Sequence, residues 1–190
     1  MGFLLDTTRC IGCNACRVSC QVHNATGPAV AWRLVTSHEQ GSFPDVTRHH
    51  LSIACNHCER PACLAACPEG AIHKRETDGI VLIDSDRCNG CGRCIGACPY
   101  GAPQREPERD AVSKCDFCVE RQEKGQPPVC VETCVGGALL FGALDELAEQ
   151  APMRTLHRTI DGFPDPEWTR PAIRFLIDEP RIATDKVPRP

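Results

Sequence analysis

Cys88-Asn89-Gly90-Cys91-Gly92-Arg93-Cys94-Ile95-Gly96-Ala97-Cys98-Pro99 is the stretch that decides how this chain is read. Three cysteines at two-residue intervals let one loop wrap three corners of a compact inorganic core, with its backbone N–H groups free to point inward. The fourth cysteine, after three more residues, lies one helical turn on and reaches a different core, and Pro99 ends that turn. The same spacing recurs at Cys10, Cys13, Cys16 and Cys20. Just upstream of the quoted stretch, Cys55, Cys58, Cys63 and Cys67 read C-x2-C-x4-C-x3-C, followed by Pro68. Downstream, Cys115, Cys118, Cys130 and Cys134 read C-x2-C-x11-C-x3-C, with Val135 where the proline would stand.

These four sets contain all 16 cysteines of a 190-residue chain, alongside 15 glycines, 16 prolines and only 5% aromatic residues. The 42% hydrophobic content includes the cysteines, so aliphatic packing alone does not hold such a chain together. Three chemistries use sulfur in this quantity: disulfides, zinc and iron–sulfur clusters. Disulfides fit poorly, because no secretion signal opens the chain and the C-x2-C steps are too close and too regularly tripled for staples. Zinc sites join two separated C-x2-C knuckles and need no third cysteine in the same loop, so only the fourth set would be ambiguous alone. The repeated triplet with its trailing cysteine is the run of bacterial ferredoxins, which hold 4Fe-4S clusters.

Between Cys67 and Cys88, the runs Ala71–Arg75 and Ile80–Asp84 flank Asp78-Gly79 and read as a hairpin. Motif, strand, turn, strand, motif make a complete two-cluster ferredoxin unit over residues 52–103. Its exchange rule groups Cys55, Cys58 and Cys63 with Cys98, and Cys88, Cys91 and Cys94 with Cys67. Phe3-Leu4-Leu5 and Ala138-Leu139-Leu140-Phe141 supply the same pieces to the outer motifs in another order, so residues 3–6 are expected beside 138–141. The outer module, 1–51 with 104–142, is then a permuted unit with the inner one inserted. It would group Cys10, Cys13 and Cys16 with Cys134, and Cys115, Cys118 and Cys130 with Cys20. The fold expected is α+β: two ferredoxin-like two-cluster modules with short helices, small antiparallel hairpins and an extended C-terminal tail. Helices are expected near 14–23, 61–67, 93–98, 128–134 and 143–150. Residues 21–54 and 102–114 read as connectors, with a short strand at 51–54. The 143–190 extension reads as a docking tail. Its prolines at 152, 164, 166, 171, 180, 188 and 190 argue against a core of its own, and Phe163, Trp168, Ile173, Phe175, Leu176 and Ile177 suit a partner's surface.

The remaining signals are weaker. A net charge of −4 without a basic run gives nucleic-acid binding no support. The longest apolar stretch, 135–144, is too short to span a bilayer, and the N-terminus carries no export or acylation signal. A soluble subunit is expected, without membrane insertion of its own. His57, inside the second motif, either donates a hydrogen bond toward a cluster or fills space. His49 and His50 point to opposite sides of a strand and form no metal site. Lys114 and Arg93 flank cysteines and are candidates for offsetting cluster charge. No Gly-rich nucleotide loop or Ser/His/Asp set stands out, so a catalytic site is not expected.

Met1–Gly142 resembles the iron–sulfur (B) subunit of the dimethyl sulfoxide reductase family of molybdenum enzymes. The runs that carry the likeness are Arg9–Cys16, Ala54–Cys58, Ala97–Gln104, Lys114–Cys118 and Cys130–Cys134, and Ala138–Leu147 is similar to the dimethyl sulfoxide reductase branch. The resemblance implies four 4Fe-4S clusters relaying electrons between a molybdopterin-containing catalytic subunit and a quinone-linked membrane anchor. It puts the Cys10 cluster against the catalytic subunit and the Cys88 cluster at the membrane end. Relatives with a three-iron cluster carry tryptophan at one position of the third motif; this chain has Cys91. Val135 departs from the family's proline without removing a ligand. Two other readings stay open: a polyferredoxin-type carrier or hydrogenase/formate-lyase subunit, and a zinc-bound scaffold.

Overall fold

The fully buried run Gly2–Asp6 (β1) is the central strand about which the chain is organised. The computed structural model describes residues 1–177, apart from 109, 152 and 162. After β1 come helix α1 (Ala15–His23) and strands β2 (Leu34–Ser42) and β3 (Asp45–Ile53). Helix α2 (Ala62–Ala65), strands β4 (Ile72–Lys74) and β5 (Val81–Ile83) and helix α3 (Arg93–Ala97) follow. Next are β6 (Gln104–Glu106), β7 (Ala111–Ser113), α4 (Val119–Glu123) and α5 (Val129–Glu132). The chain continues through β8 (Leu139–Gly142), α6 (Leu144–Glu149), α7 (Pro166–Thr169) and β9 (Ile173–Leu176).

Phe3-Leu4-Leu5 is apolar at every position because both faces of its sheet are covered. β1 pairs antiparallel with β8, Phe3 opposite Phe141 and Leu5 opposite Leu139, which is the pairing expected of residues 3–6 and 138–141. Phe3, Leu5, Leu139, Ile173 and Phe175 face one core, where Cys16, Cys130 and Phe117 also lie. Leu4, Leu140 and Leu176 point the other way, onto Leu144 and Leu147 of α6. The hairpin around Asp78-Gly79 also forms, Ile72 opposite Ile83, and the carboxylate of Asp78 accepts the Ile80 N–H at 2.9 Å. α1 packs against α5 and α2 against α3.

Three expectations need correction. The tail segment 173–176 neither hangs free nor lies along a partner; β9 joins β1 as a parallel neighbour, and Ile173, Phe175 and Leu176 are buried in this chain's own core. Burying such side chains gives about 1.5–3 kcal/mol each, enough to recruit a strand that Pro171 precedes. Trp168, by contrast, is 65% exposed, and residues 178–190 lie outside the described ones. The connector at 21–54 contains a hairpin of two nine-residue strands, β2 with β3, running from Leu34 opposite Ile53 to Ser42 opposite Asp45. It stands in solvent on both faces toward its tip, so no apolar alternation betrays it, and Arg48–Glu39 and stacked His38 and His49 rings pair across it. The connector at 102–114 likewise holds the short hairpin of β6 and β7.

Candidate cluster-binding sites

In each cysteine motif the residue just before the second cysteine is left-handed: Gly12 at φ 69°, His57 at 41°, Gly90 at 68° and Phe117 at 64°. That turn reverses the loop so that backbone N–H groups point at sulfur, as Phe117 N–H does to Cys115 Sγ at 3.4 Å. At Gly12 the left-handed φ strains any side chain, and a Cβ would stand 2.6 Å from His50 Nδ1, so that ring would have to shift. His57 and Phe117 hold the strained conformation because both are buried and their rings meet edge to face at 5.0 Å. Phe117 packs in turn on Phe3, ring centroids 4.2 Å apart.

The loops and their helices gather the sixteen cysteines. Cys55, Cys58, Cys63 and Cys98 line one cavity with Asn56, Tyr100, Lys114 and Thr169. Cys67, Cys88, Cys91 and Cys94 line a second with Ile72, Ile83, Asn89 and Glu69. Cys10, Cys13, Cys16 and Cys134 line a third with Ser52 and Leu139. Cys20, Cys118 and Cys130 act on one another electrostatically, as do Cys115, Cys20 and Cys130. Among the described residues no three Cys, His, Asp or Glu side chains converge on a single-ion site. The sulfurs of three of the sets stand around cavities instead, whereas a lone zinc needs four ligands about 2.3 Å from one point.

Neighbouring sets touch in line. Cys63 and Cys94 share one apolar cluster, Cys55 and Cys115 a second, and Cys16 and Cys130 a third. Cys13 and Cys91 are exposed, one in each terminal set, and every other cysteine is buried or half-buried. In the loops of the Cys13 set two apolar side chains stand out, Ile11 at 66% and Val135, next to Cys134, at 73% exposed, with Arg9 at the cavity they flank. Val135 is thus largely exposed, and with Gly136 it makes the turn after α5, closed by the Gly137 N–H on the Cys134 carbonyl at 2.9 Å.

Burial pushes the Cys20 and Cys63 thiols up to about 12, and Cys58 and Cys118 up to about 11. Desolvated thiolates need a nearby cation, and metal binding supplies one while releasing protons. Backbone donors prepare the same charge: the N–H groups of Ala102, Tyr100 and Gly101 offset the burial of Cys98, and Ala138 N–H reaches Cys134 Sγ at 3.2 Å. Both polar atoms of the buried Asn56 side chain lack partners at the wall of the Cys55 cavity, and its Nδ2 leaves a donor free for a group that offers sulfur as acceptor. The donor set thus fits iron–sulfur clusters, with their thiolate ligands and N–H···S hydrogen bonds.

Of the weaker candidates, Lys114 is buried at the wall of the Cys55 cavity and donates to the Val81 and Cys115 carbonyls, the latter at 3.1 Å. His57 does not face that cavity. Its Nδ1 accepts from Val81 N–H at 3.0 Å, and burial, aided by Lys114 and Lys74, holds its ring well below the ordinary histidine range, hence neutral. His49 and His50 diverge as expected, onto His38 and Ser37. Arg33 was missed altogether: a lone arginine in a presumed connector carries no sequence signal, yet it is fully buried among the cysteines.

Residues 46–144 match the family model of the 4Fe-4S dicluster domain, which sets the class: an iron–sulfur protein with a ferredoxin-like domain. The B subunit of anaerobic dimethyl sulfoxide reductase from Escherichia coli K12 is 42% identical over 83% of this chain and 84% of its own length. The B subunit of tetrathionate reductase from Salmonella typhimurium is 43% identical over 91% of this chain and 70% of its own. That of sulfite dehydrogenase from Allochromatium vinosum is 33% identical over 93% and 82%. The protein belongs to this family of iron–sulfur electron-transfer B subunits of molybdenum oxidoreductases. Among the described residues no helix is long and apolar enough to cross a membrane.

Proposed function

We propose that the chain is a four-cluster wire in a molybdenum oxidoreductase complex. Each of four 4Fe-4S clusters is held by one set: Cys10, Cys13, Cys16 and Cys134; Cys20, Cys115, Cys118 and Cys130; Cys55, Cys58, Cys63 and Cys98; Cys67, Cys88, Cys91 and Cys94. The inner module, 52–103, carries the last two and sits as an insertion in the outer module, 1–51 with 104–142. Residues 143–177 extend the outer module. Electrons hop from set to set in the order of their contacts, and substrate chemistry belongs to the partner.

The observation that carries this reading is the line of four sets with one exposed cysteine in each terminal set. The exposed Ile11 and Val135 side chains in the loops of the Cys13 set suit a permanent interface with the molybdopterin-containing catalytic subunit. The Cys91 end then faces a quinone-reactive membrane anchor or another redox partner, through which the subunit is attached to a membrane. Bound clusters supply one-electron storage; the chain excludes water and directs N–H groups at sulfur.

Metal analysis of the complex purified anaerobically tests the reading. Roughly 16 irons per chain, four per cubane, are expected with stoichiometric molybdenum or tungsten. Iron with nickel, or iron without a second metal, would favour a hydrogenase partner or a free carrier; zinc in place of iron would leave only a scaffold.

A further inference from the structure

Arg33 is 1% exposed and has no carboxylate partner among the described residues. Its Nη1 donates to the Ser52 carbonyl at 3.0 Å and to Ser52 Oγ at 3.2 Å, and the guanidinium carbon stands 4.6 Å from the centre of the Phe3 ring. Its Nε and Nη2 are buried without partners. A guanidinium cannot shed its charge in a protein, and a buried charge without a counter-charge is expensive. The Phe3 ring beneath the guanidinium packs in one cluster with both Cys16 and Cys130, which places the charge beside two sets, and although burial works against it, Cys130, Cys115, Cys16 and Cys20 favour its charged form. Ser52 Oγ, which Arg33 grips, lies 3.3 Å from Cys16 Sγ. Cys16 belongs to one set; the other three cysteines belong to its neighbour.

We propose that Arg33 is a fixed cation shared by two adjacent cluster sites, that of Cys16 and that of Cys20, Cys115 and Cys130, and that it raises the reduction potential of both. The inference rests on the cluster reading above. On taking one electron from its neighbour in the wire, a cubane with four thiolates goes from a formal charge of roughly −2 to roughly −3, with no bond made or broken. A nearby cation stabilises the more negative state more, and the unused N–H donors of Arg33 add to this at sulfur. The guanidinium is thus the counter-charge that makes two clusters tolerable side by side in a dry core.

The test is a redox titration of the whole purified complex followed by electron paramagnetic resonance, on the wild type, Arg33→Met and Arg33→Lys. Arg33→Met should keep wild-type iron while two of four cluster potentials fall and two stay. The expected loss is about tenfold in each reduction equilibrium, or about 59 mV for one electron. Arg33→Lys should bring both back toward the wild type. Four unmoved potentials, or an equal shift of all four, would overturn the proposal. Should Arg33→Met lose iron, Arg33→Lys decides: potentials held near wild type support the shared cation, and potentials that fall although the charge is kept overturn it. Failure of the cluster reading looks different, because the wild type itself would then lack four cluster signals.

Discussion

The cysteines around Arg33 and those around Cys91 sit in opposite surroundings, although Cys16 and Cys91 belong to motifs of identical spacing. Cys16, Cys20, Cys115 and Cys130 are buried, Cys16 and Cys130 in one core with Phe3, Phe117 and Leu139, and all four act on the Arg33 guanidinium, whose Nε and Nη2 have no partner. Cys91 is exposed, and its cavity is walled by Ile72, Ile83, Asn89 and the carboxylate-bearing Glu69. The spacing of a motif therefore sets how a loop wraps a cluster, while the packing beyond it sets how much charge the cluster can hold and how much of the fold depends on it.

That contrast predicts its largest effect in cysteine replacements. On the proposed ligand sets, Cys130→Ser removes a ligand from the core itself, so loss of its cluster should unseat the neighbours, and iron should fall well below about 12 per chain from roughly 16. Cys91→Ser removes a ligand at the rim; iron should stay at about 12 or above, with the other three clusters intact. Iron analysis with electron paramagnetic resonance measures both. Equal losses would break the comparison. Next in size is Phe117→Ala, which empties the contact between Phe3 and His57. It should cost about 3–5 kcal/mol, read as a lower denaturant midpoint for loss of the visible cluster band.

These residues also mark how far the sequence could be read. The sixteen cysteines, the Asp78-Gly79 hairpin and the pairing of β1 with β8 were legible because spacing, turn chemistry and apolar runs report them directly. The left-handed positions were half legible: Gly12 and Gly90 suggest them, but His57 and Phe117 adopt the same turn only because each packs on the other. β2 and β3 were hidden, since a hairpin bathed in solvent needs no apolar alternation. β9 was hidden by the prolines around it, and Arg33 by its isolation in the chain. What spacing cannot report is tertiary company, and in this molecule tertiary company supplies the buried charge.

Lys114 sharpens the comparison further along the wire. It lines the Cys55 cavity and eases ionisation of Cys63, whereas no lysine or arginine is among the residues lining the Cys91 cavity. Lys114→Met should lower one potential, that of the Cys55 cluster, by up to about tenfold in its reduction equilibrium and leave the Cys91 cluster where it was. Redox titration reads both in one sample, and a shift at the Cys91 cluster would show that the two sites share more of their field than the contacts suggest.

The smallest effect lies at the entrance to the Cys10 loop, where charge serves the fold instead of a cluster. The Asp6 carboxylate is buried and accepts the N–H and hydroxyl of Thr8, at 3.0 and 2.6 Å, and one Arg154 N–H at 2.5 Å. Burial opposes its ionisation, but Thr8 and Arg154 outweigh burial and hold its pKa below the ordinary aspartate value. A depressed carboxylate contributes stability that is whole above its unfolded pKa, about 3.9, and is lost as pH falls through the lower folded value. Between pH 6 and 8 Asp6 stays ionised, so Arg154→Ala should cost a constant amount, about 1 kcal/mol given the partial exposure of Arg154. In an Asp6→Asn background the same replacement should cost much less, because the charge it answers is gone. Thermal melts of the four variants at pH 6, 7 and 8 complete the cycle. A penalty that changes across this range, or that survives in the Asn background, would mean that Arg154 acts through some group other than Asp6.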